Sequence, residues 1–200
     1  MKGPEARAQI LRACRVPGAP SSDFDLSSGV DLPPGRKLRP AAVLIGVRAH
    51  AGRAEVVLTK RSSRLKHHPG QIAFPGGKVD ESDDGPVAAA LREAEEEIGL
   101  PRRAVEVLGT MPPHETVTGF QVTPVLGWIS ERFDPLPEAG EVAEVFDVPL
   151  AHVTDPAQFI VEGRHWRGQR RNYYAVPWGP YYIWGATARM LRALADRMAV

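Results

Sequence analysis

The chain has 200 residues, 43% hydrophobic, 24% charged and 7% aromatic, with a formal net charge of +1. That length suits one domain with its own core plus some extension, and near-neutrality excludes bulk electrostatic coating of nucleic acid. No run approaches the ~18 apolar residues of a membrane span, and the first residues lack a signal peptide's unbroken apolar core. Cys14 stands alone, so no intrachain disulfide can form, which fits a reducing cytoplasm and a packing role for the thiol.

Taken in chain order, residues 4–15 are expected to form a short amphipathic helix with Ala6, Ile10 and Leu11 on related faces. Residues 17–40 are rich in Pro, Gly, Ser and Asp and read as a connector. This sets an N-terminal extension (1–38) apart from a main domain (39–200). A strand over 41–49 and a partner over 54–61 are expected to form a hairpin across His50–Arg53. A polar loop (62–70) then leads through "QIAF" to Pro75-Gly76-Gly77.

The best-defined helix covers 86–98, with Pro86 in its first turn, Gly99 as its stop and Pro101 barring continuation. Val87, Leu91, Ala94 and Ile98 recur at helical spacing as its buried stripe. Strand-like runs follow at 104–110, 121–129 and 141–148. A basic, aromatic segment (159–178) is expected to fold as a second hairpin around Gly168, and a helix over 185–198 closes the chain. Strands and helices mix without regular β-α-β alternation, which predicts an α+β layered domain.

The 86–98 helix carries Glu93, Glu95, Glu96 and Glu97 in its last turns, with only Arg92 beside them. Helix C-termini favour cations, and like charges at these spacings repel. Glu93, Glu96 and Glu97 fall at i, i+3 and i+4 and share a face, while Glu95 points to solvent. A solvated, Glu-rich face is the commoner meaning of such a pattern. The preceding Gly76-Gly77 shifts the balance, because backbone there can approach a ligand and Gly77 can offer an unobstructed carbonyl. Converging carboxylates of this kind suit a hard divalent cation that keeps positions for phosphate oxygens.

Residues 77–100 resemble the Nudix box, G-x5-E-x7-R-E-U-x-E-E-x-G-U, where U is a bulky aliphatic residue. Arg92, Glu93, Glu96, Glu97, Gly99 and Leu100 fit the second half, with Ala94 a small stand-in for U. The first half departs: five intervening residues lead from Gly77 to Asp83, not Glu, and eight residues separate it from Arg92, leaving Asp83 and Asp84 both open for the acidic position. The resemblance implies a Nudix fold, an α/β/α sandwich with a mixed central sheet. It implies hydrolysis of a nucleoside diphosphate joined to another group, using Mg²⁺ or Mn²⁺. Glu93, Glu96, Glu97 and the Gly77 carbonyl would hold the metal, and Arg92 would orient the carboxylates. Glu96 is favoured as the proton acceptor, with Glu141 or Glu144 as alternatives. No Ser/His/Asp or Cys/His nucleophile arrangement is evident.

Upstream, "LTKRSSRLKHHPGQIAFPGG" (58–77) resembles the signature of the coenzyme A pyrophosphatase subgroup. Leu58, Thr59, Arg61, Ser62, Gly70, Phe74, Pro75, Gly76 and Gly77 fall in place; Val57 replaces a Leu and Lys66 an Arg. On the residues alone, Lys60, Arg61, Arg64, Lys66, His67 and His68 set a cationic rim that would attract a phosphate-rich ligand. Arg61, Lys66, His67, Gly76 and Gly77 are the expected substrate contacts. Segments 111–129 and 183–198 also resemble the subgroup. The implied reaction cuts coenzyme A into 4′-phosphopantetheine and 3′-phosphoadenosine 5′-phosphate. A Nudix hydrolase of ADP-ribose is the nearest rival, followed by a Nudix-fold binding module without catalysis. Interleaved Arg and aromatics at 163–178 suggest a packed hairpin more than a nucleic-acid surface. The same hairpin and the N-terminal extension are candidate contacts of a homodimer.

Overall fold

The computed structural model describes residues 1–27, 35–166 and 169–200. The middle of the expected connector and the Gly168 turn therefore lie outside the described residues. In chain order the elements are α1 (Gly3–Arg15), β1 (Ser21–Ser22), β2 (Arg39–His50), β3 (Arg53–Arg61), β4 (Ile72–Ala73) and β5 (Gly76–Lys78). They continue with α2 (Gly85–Ile98), β6 (Val105–Thr110), β7 (His114–Glu115), β8 (Phe120–Ile129) and β9 (Val142–Pro149). The last are α3 (Leu150–Val153), β10 (Ile160–Trp166), β11 (Gln169–Ala175) and α4 (Ala186–Met198).

The expected hairpin forms between β2 and β3, with His50 opposite Arg53. Its two turn residues, Ala51 and Gly52, have φ of 47° and 79°, the left-handed pair whose twist matches the flanking strands. β2 also runs parallel to β8 from Arg39↔Phe120 to Arg48↔Ile129, so the central sheet is mixed. Along β2 the side chains alternate faces as strand pleating requires. Ala42 and Leu44 join the α2 residues Ala90, Ala94 and Ile98 in one cluster. Ala41, Ile45 and Val47 join Ile10 of α1 and Leu191 and Leu194 of α4 in the other. Helices thus cover both faces, and the fold is the expected α+β, α/β/α sandwich.

Helix α1 is part of the core, with Ala6, Ile10 and Ala13 fully buried. The first residues of the connector are also built in: β1 pairs parallel with β7, Ser21 opposite His114.

Helix α2 ends as its sequence dictates. Gly99 takes φ 68°, and the Leu100 N–H returns to the Ala94 carbonyl at 3.3 Å, closing the helix in a left-handed cap. Its buried stripe differs from expectation. Ala90, Ala94 and Ile98 are buried while Val87 and Leu91 are half-buried. The small alanines let the helix sit close to the sheet, and the rotation takes Glu97, 6% exposed, into the buried face.

Candidate active site

Strand β5 pairs antiparallel with β2 and sets Gly76 opposite Val43 and Gly77 opposite Ala42. A Cβ on Gly76 would lie 2.4 Å from the Ala42 carbonyl oxygen, and one on Gly77 would lie 2.4 Å from Glu93 Oε1. Only glycine permits both approaches. The Gly76 N–H donates to Glu97 Oε2 at 3.2 Å, so the glycine loop touches both carboxylates of α2 that face inward.

Burial raises the Glu97 carboxyl to about 8, with the charges of Glu93 and Glu141 adding to the rise and Arg61 opposing it. Burial also raises Glu93, against the pull of Arg92. Two crowded carboxylates held up in this way are what a divalent cation would relieve, and the donor set is the all-oxygen kind such cations prefer. The residues therefore fit a metal, with Glu93 and Glu97 set against the Gly76-Gly77 backbone. Glu96 stands apart, with a side chain 60% exposed and its Oε2 accepting from Arg92 Nη1 at 3.0 Å. Glu95 points away, as expected, and accepts from Arg102.

Arg92 ties this group together. Its Nη1 donates to Glu93 and to Glu96, both at 3.0 Å, and its Nη2 to the Lys78 carbonyl at 3.1 Å. Asp83 takes the guanidinium bidentately, from Nε at 3.0 Å and Nη2 at 2.9 Å. That pair, with the Asp80 N–H, holds the Asp83 carboxyl down at about 2. The extra residue in the sequence is absorbed by a turn in which the Asp83 N–H bonds to the Asp80 carbonyl. It brings Asp83, and not the exposed Asp84, to Arg92.

The basic rim is only partly assembled. The Arg61 charge reaches Glu97, but Lys66 and His67 are exposed. Lys66 and His67 are also absent from the walls of the adjoining cleft, which His68 lines instead. Of the later acids, the Glu141 charge acts on both Glu93 and Glu97, whereas Glu144 is engaged by the Tyr181 hydroxyl at 2.5 Å.

That cleft, about 480 Å³, is lined by Val43 and Phe74 and by Arg164, Arg171, Tyr173 and Trp184. Sequence reasoning missed one of its walls. Asp23 lines it and accepts from His114 Nε2 at 3.2 Å and from the Val117 N–H at 2.8 Å. His114 Nδ1 meets Ser21 Oγ at 2.9 Å. This Ser–His–Asp array has a fully buried histidine and pins the N-terminal segment to β7. His114 lies more than ninety positions from both Ser21 and Asp23, and no local pattern could announce the array. Among the described residues, a closer-packed donor group, His50, Glu55 and Asp147, lies within 4.8 Å. It is an ion-pair cluster, because Arg48 Nε holds Asp147 at 2.9 Å.

A mixed sheet between helices, with a glycine loop set against helical carboxylates and a bridging arginine, is the arrangement the Nudix resemblance leads one to expect. The NUDIX domain family model matches residues 37–174. An uncharacterised Nudix hydrolase NudL of Citrobacter koseri is 44% identical over 162 residues, 81% of this chain and 84% of the relative. Its namesake from Cronobacter sakazakii is 44% identical over 159 residues, covering 78% and 81%. A MutT/nudix family protein from Enterococcus faecalis shares the fold, with TM-score 0.53 and 16% identity over 85% of this chain and 65% of that one. The chain belongs to the Nudix hydrolase family. Members act on small nucleoside diphosphate derivatives with divalent metal ions, and no helix among the described residues is long and apolar enough to cross a membrane.

Proposed function

We propose that this chain hydrolyses the diphosphate of coenzyme A and its derivatives, giving 4′-phosphopantetheine and 3′-phosphoadenosine 5′-phosphate, with Mg²⁺ or Mn²⁺ as cofactor. The observation that carries the reading is the junction of the 58–77 segment with α2. That segment resembles the coenzyme A subgroup signature. Its glycines touch Glu93 and Glu97, and its Arg61 charge reaches Glu97.

Glu93, Glu97 and the Gly77 carbonyl would hold the cation, with Glu96 completing the set. A cation bound there would supply charge neutralisation for the diphosphate and a lowered pKa for a coordinated water. Arg92, gripped by Asp83, fixes Glu93 and Glu96 through charge-assisted hydrogen bonds. Glu96, exposed at the end of this array, accepts the water's proton, and Glu141 is the alternative because its charge reaches the same carboxylates. Arg61, with Lys66 and His67 from the mouth of the loop, draws in the anionic substrate.

Product analysis with coenzyme A, ADP-ribose, NADH and 8-oxo-dGTP, with and without Mg²⁺ or Mn²⁺, tests the reading. Metal-dependent release of 4′-phosphopantetheine is expected. Coenzyme A left intact at high enzyme concentration would overturn the assignment.

A further inference from the structure

The β10–β11 hairpin pairs Arg164 directly opposite Arg171. Directly opposed residues project from the same face of a two-stranded ladder, and like charges there repel. Both side chains line the 480 Å³ cleft. Arg171 is held in place, its Nη2 donating to the Asp23 carbonyl at 3.3 Å and its guanidinium 5.0 Å from the Phe24 ring. The Arg164 side chain is exposed and makes no hydrogen bond or ion pair among the described residues. The carboxylate in the same walls, Asp23, already accepts from His114 and Val117.

The cleft adjoins the strands that hold the glycine loop. Val43 and Phe74 line it; Val43 is the strand partner of Gly76, and the Gly76 N–H sits on Glu97. Tyr173 and Trp184, with ring centroids 5.1 Å apart, stand beside the arginines on the cleft wall. A ligand whose diphosphate lies at the glycine loop would place its next group in this space, against aromatic faces suited to a base.

We infer that Arg164 and Arg171 form a subsite for a phosphate monoester carried by the nucleoside half of the substrate. This deepens, and rests on, the coenzyme A reading, whose nucleoside bears such a group. Paired guanidinium forks match phosphate oxygens better than the flexible ammonium groups of the exposed loop. Recognition of the extra phosphate is thereby assigned to the hairpin, whereas Lys66 and His67 remain outside the cleft.

The test is calorimetric binding of 3′-phosphoadenosine 5′-phosphate and of AMP to the full chain in the presence of Mg²⁺. The bisphosphate is expected to bind at least about tenfold more tightly. Arg164→Gln should remove most of that difference, and Arg164→Glu should reverse it, with thermal melts confirming that both variants fold. Equal binding of the two nucleotides, no binding of either, or a difference that survives in both variants would overturn the subsite. Turnover of coenzyme A against dephospho-coenzyme A separates the two claims. If neither is cut while the binding difference holds, the diphosphatase reading fails and the subsite stands.

Discussion

Gly77 and Glu93 meet so closely that a methyl group on the glycine would overlap the carboxylate, at 2.4 Å from Oε1 and 2.5 Å from Cδ. The obstructing atoms are the far end of a side chain, which can swing aside. Gly77→Ala should therefore fold but displace Glu93 from its place beside Glu97. We expect turnover to fall roughly 10–100-fold, the usual scale for disturbed metal-site geometry, with little change in melting temperature. Gly76→Ala is the contrast, because there the collisions are with Ala42 O and Val43 Cα, 2.4 and 2.6 Å away. Backbone cannot move so freely, and destabilisation of about 1–3 kcal/mol is expected from overpacking. Equal melting temperatures for the two variants would contradict this division.

Glu97 sets a pH dependence of stability. Its carboxyl is raised to about 8 in the fold by burial and by its acidic neighbours, above the ordinary carboxylate value of about 4.3. The neutral form is favoured by folding, so its stabilising contribution is full below the unfolded value and is lost as pH rises towards 8. The metal-free protein should therefore melt at progressively lower temperature between about pH 5 and 8. Mg²⁺ or Mn²⁺ should reverse the loss at pH 8, because the cation binds the folded form. Glu97→Gln should flatten the pH dependence, raise the metal-free melting temperature at pH 8 and abolish turnover. Melting curves across pH, with and without chelator, read all of these effects; a flat profile in the unmodified protein would remove the argument.

Much of this was legible in the sequence, for identifiable reasons. Helix α2 has a proline start, a glycine stop and apolar spacing, all local signals. The β2–β3 hairpin has its own turn chemistry in Ala51-Gly52. The two- and three-residue strands β1, β4, β5 and β7 are too short to show any period. The Ser, Asp, Pro and Gly content of residues 17–40 marks a connector. Yet its Ser21 and Asp23 are held by His114, a partner that only the tertiary fold supplies. The choice between Asp83 and Asp84 also depended on a turn geometry, the Asp80–Asp83 bond, that spacing alone leaves open.

Arg92 and Asp83 should behave as one unit. The guanidinium spans Asp83, Glu93, Glu96 and the Lys78 carbonyl, and the bidentate bond to Asp83 fixes its plane. Lysine keeps the charge but offers no planar fork, so Arg92→Lys is expected to lower kcat about 10–100-fold. Asp83→Asn, which leaves the guanidinium without its anionic anchor, should lower kcat in the same direction. The double variant should lose much less than the product of the two single losses. Simple multiplication of the two effects would show that Asp83 acts independently of Arg92.

The N-terminal segment yields the last prediction. The family model begins at residue 37, which invites removal of everything before it. Against that, Ala6, Ile10 and Ala13 are fully buried within the cluster shared with Leu191 and Leu194. Asp23 and Ser21 are bonded to His114, and Asn172 of β11 donates from its N–H to Ser27 Oγ and from Nδ2 to the Leu26 carbonyl. A chain shortened to residues 39–200 would expose one helical layer's apolar contacts and strip a buried imidazole of both partners. An unmet polar group of this kind costs about 1–3 kcal/mol, before the lost helix packing is counted. The shortened chain should show no cooperative melt at the temperature of the full chain. His114→Ala in the full chain should lower stability by about 2–4 kcal/mol through its cavity and the orphaned Ser21 and Asp23. Denaturant unfolding of both proteins measures this directly, and an unchanged midpoint for the shortened chain would mean that α1 and the connector are appended to the domain and contribute nothing to it.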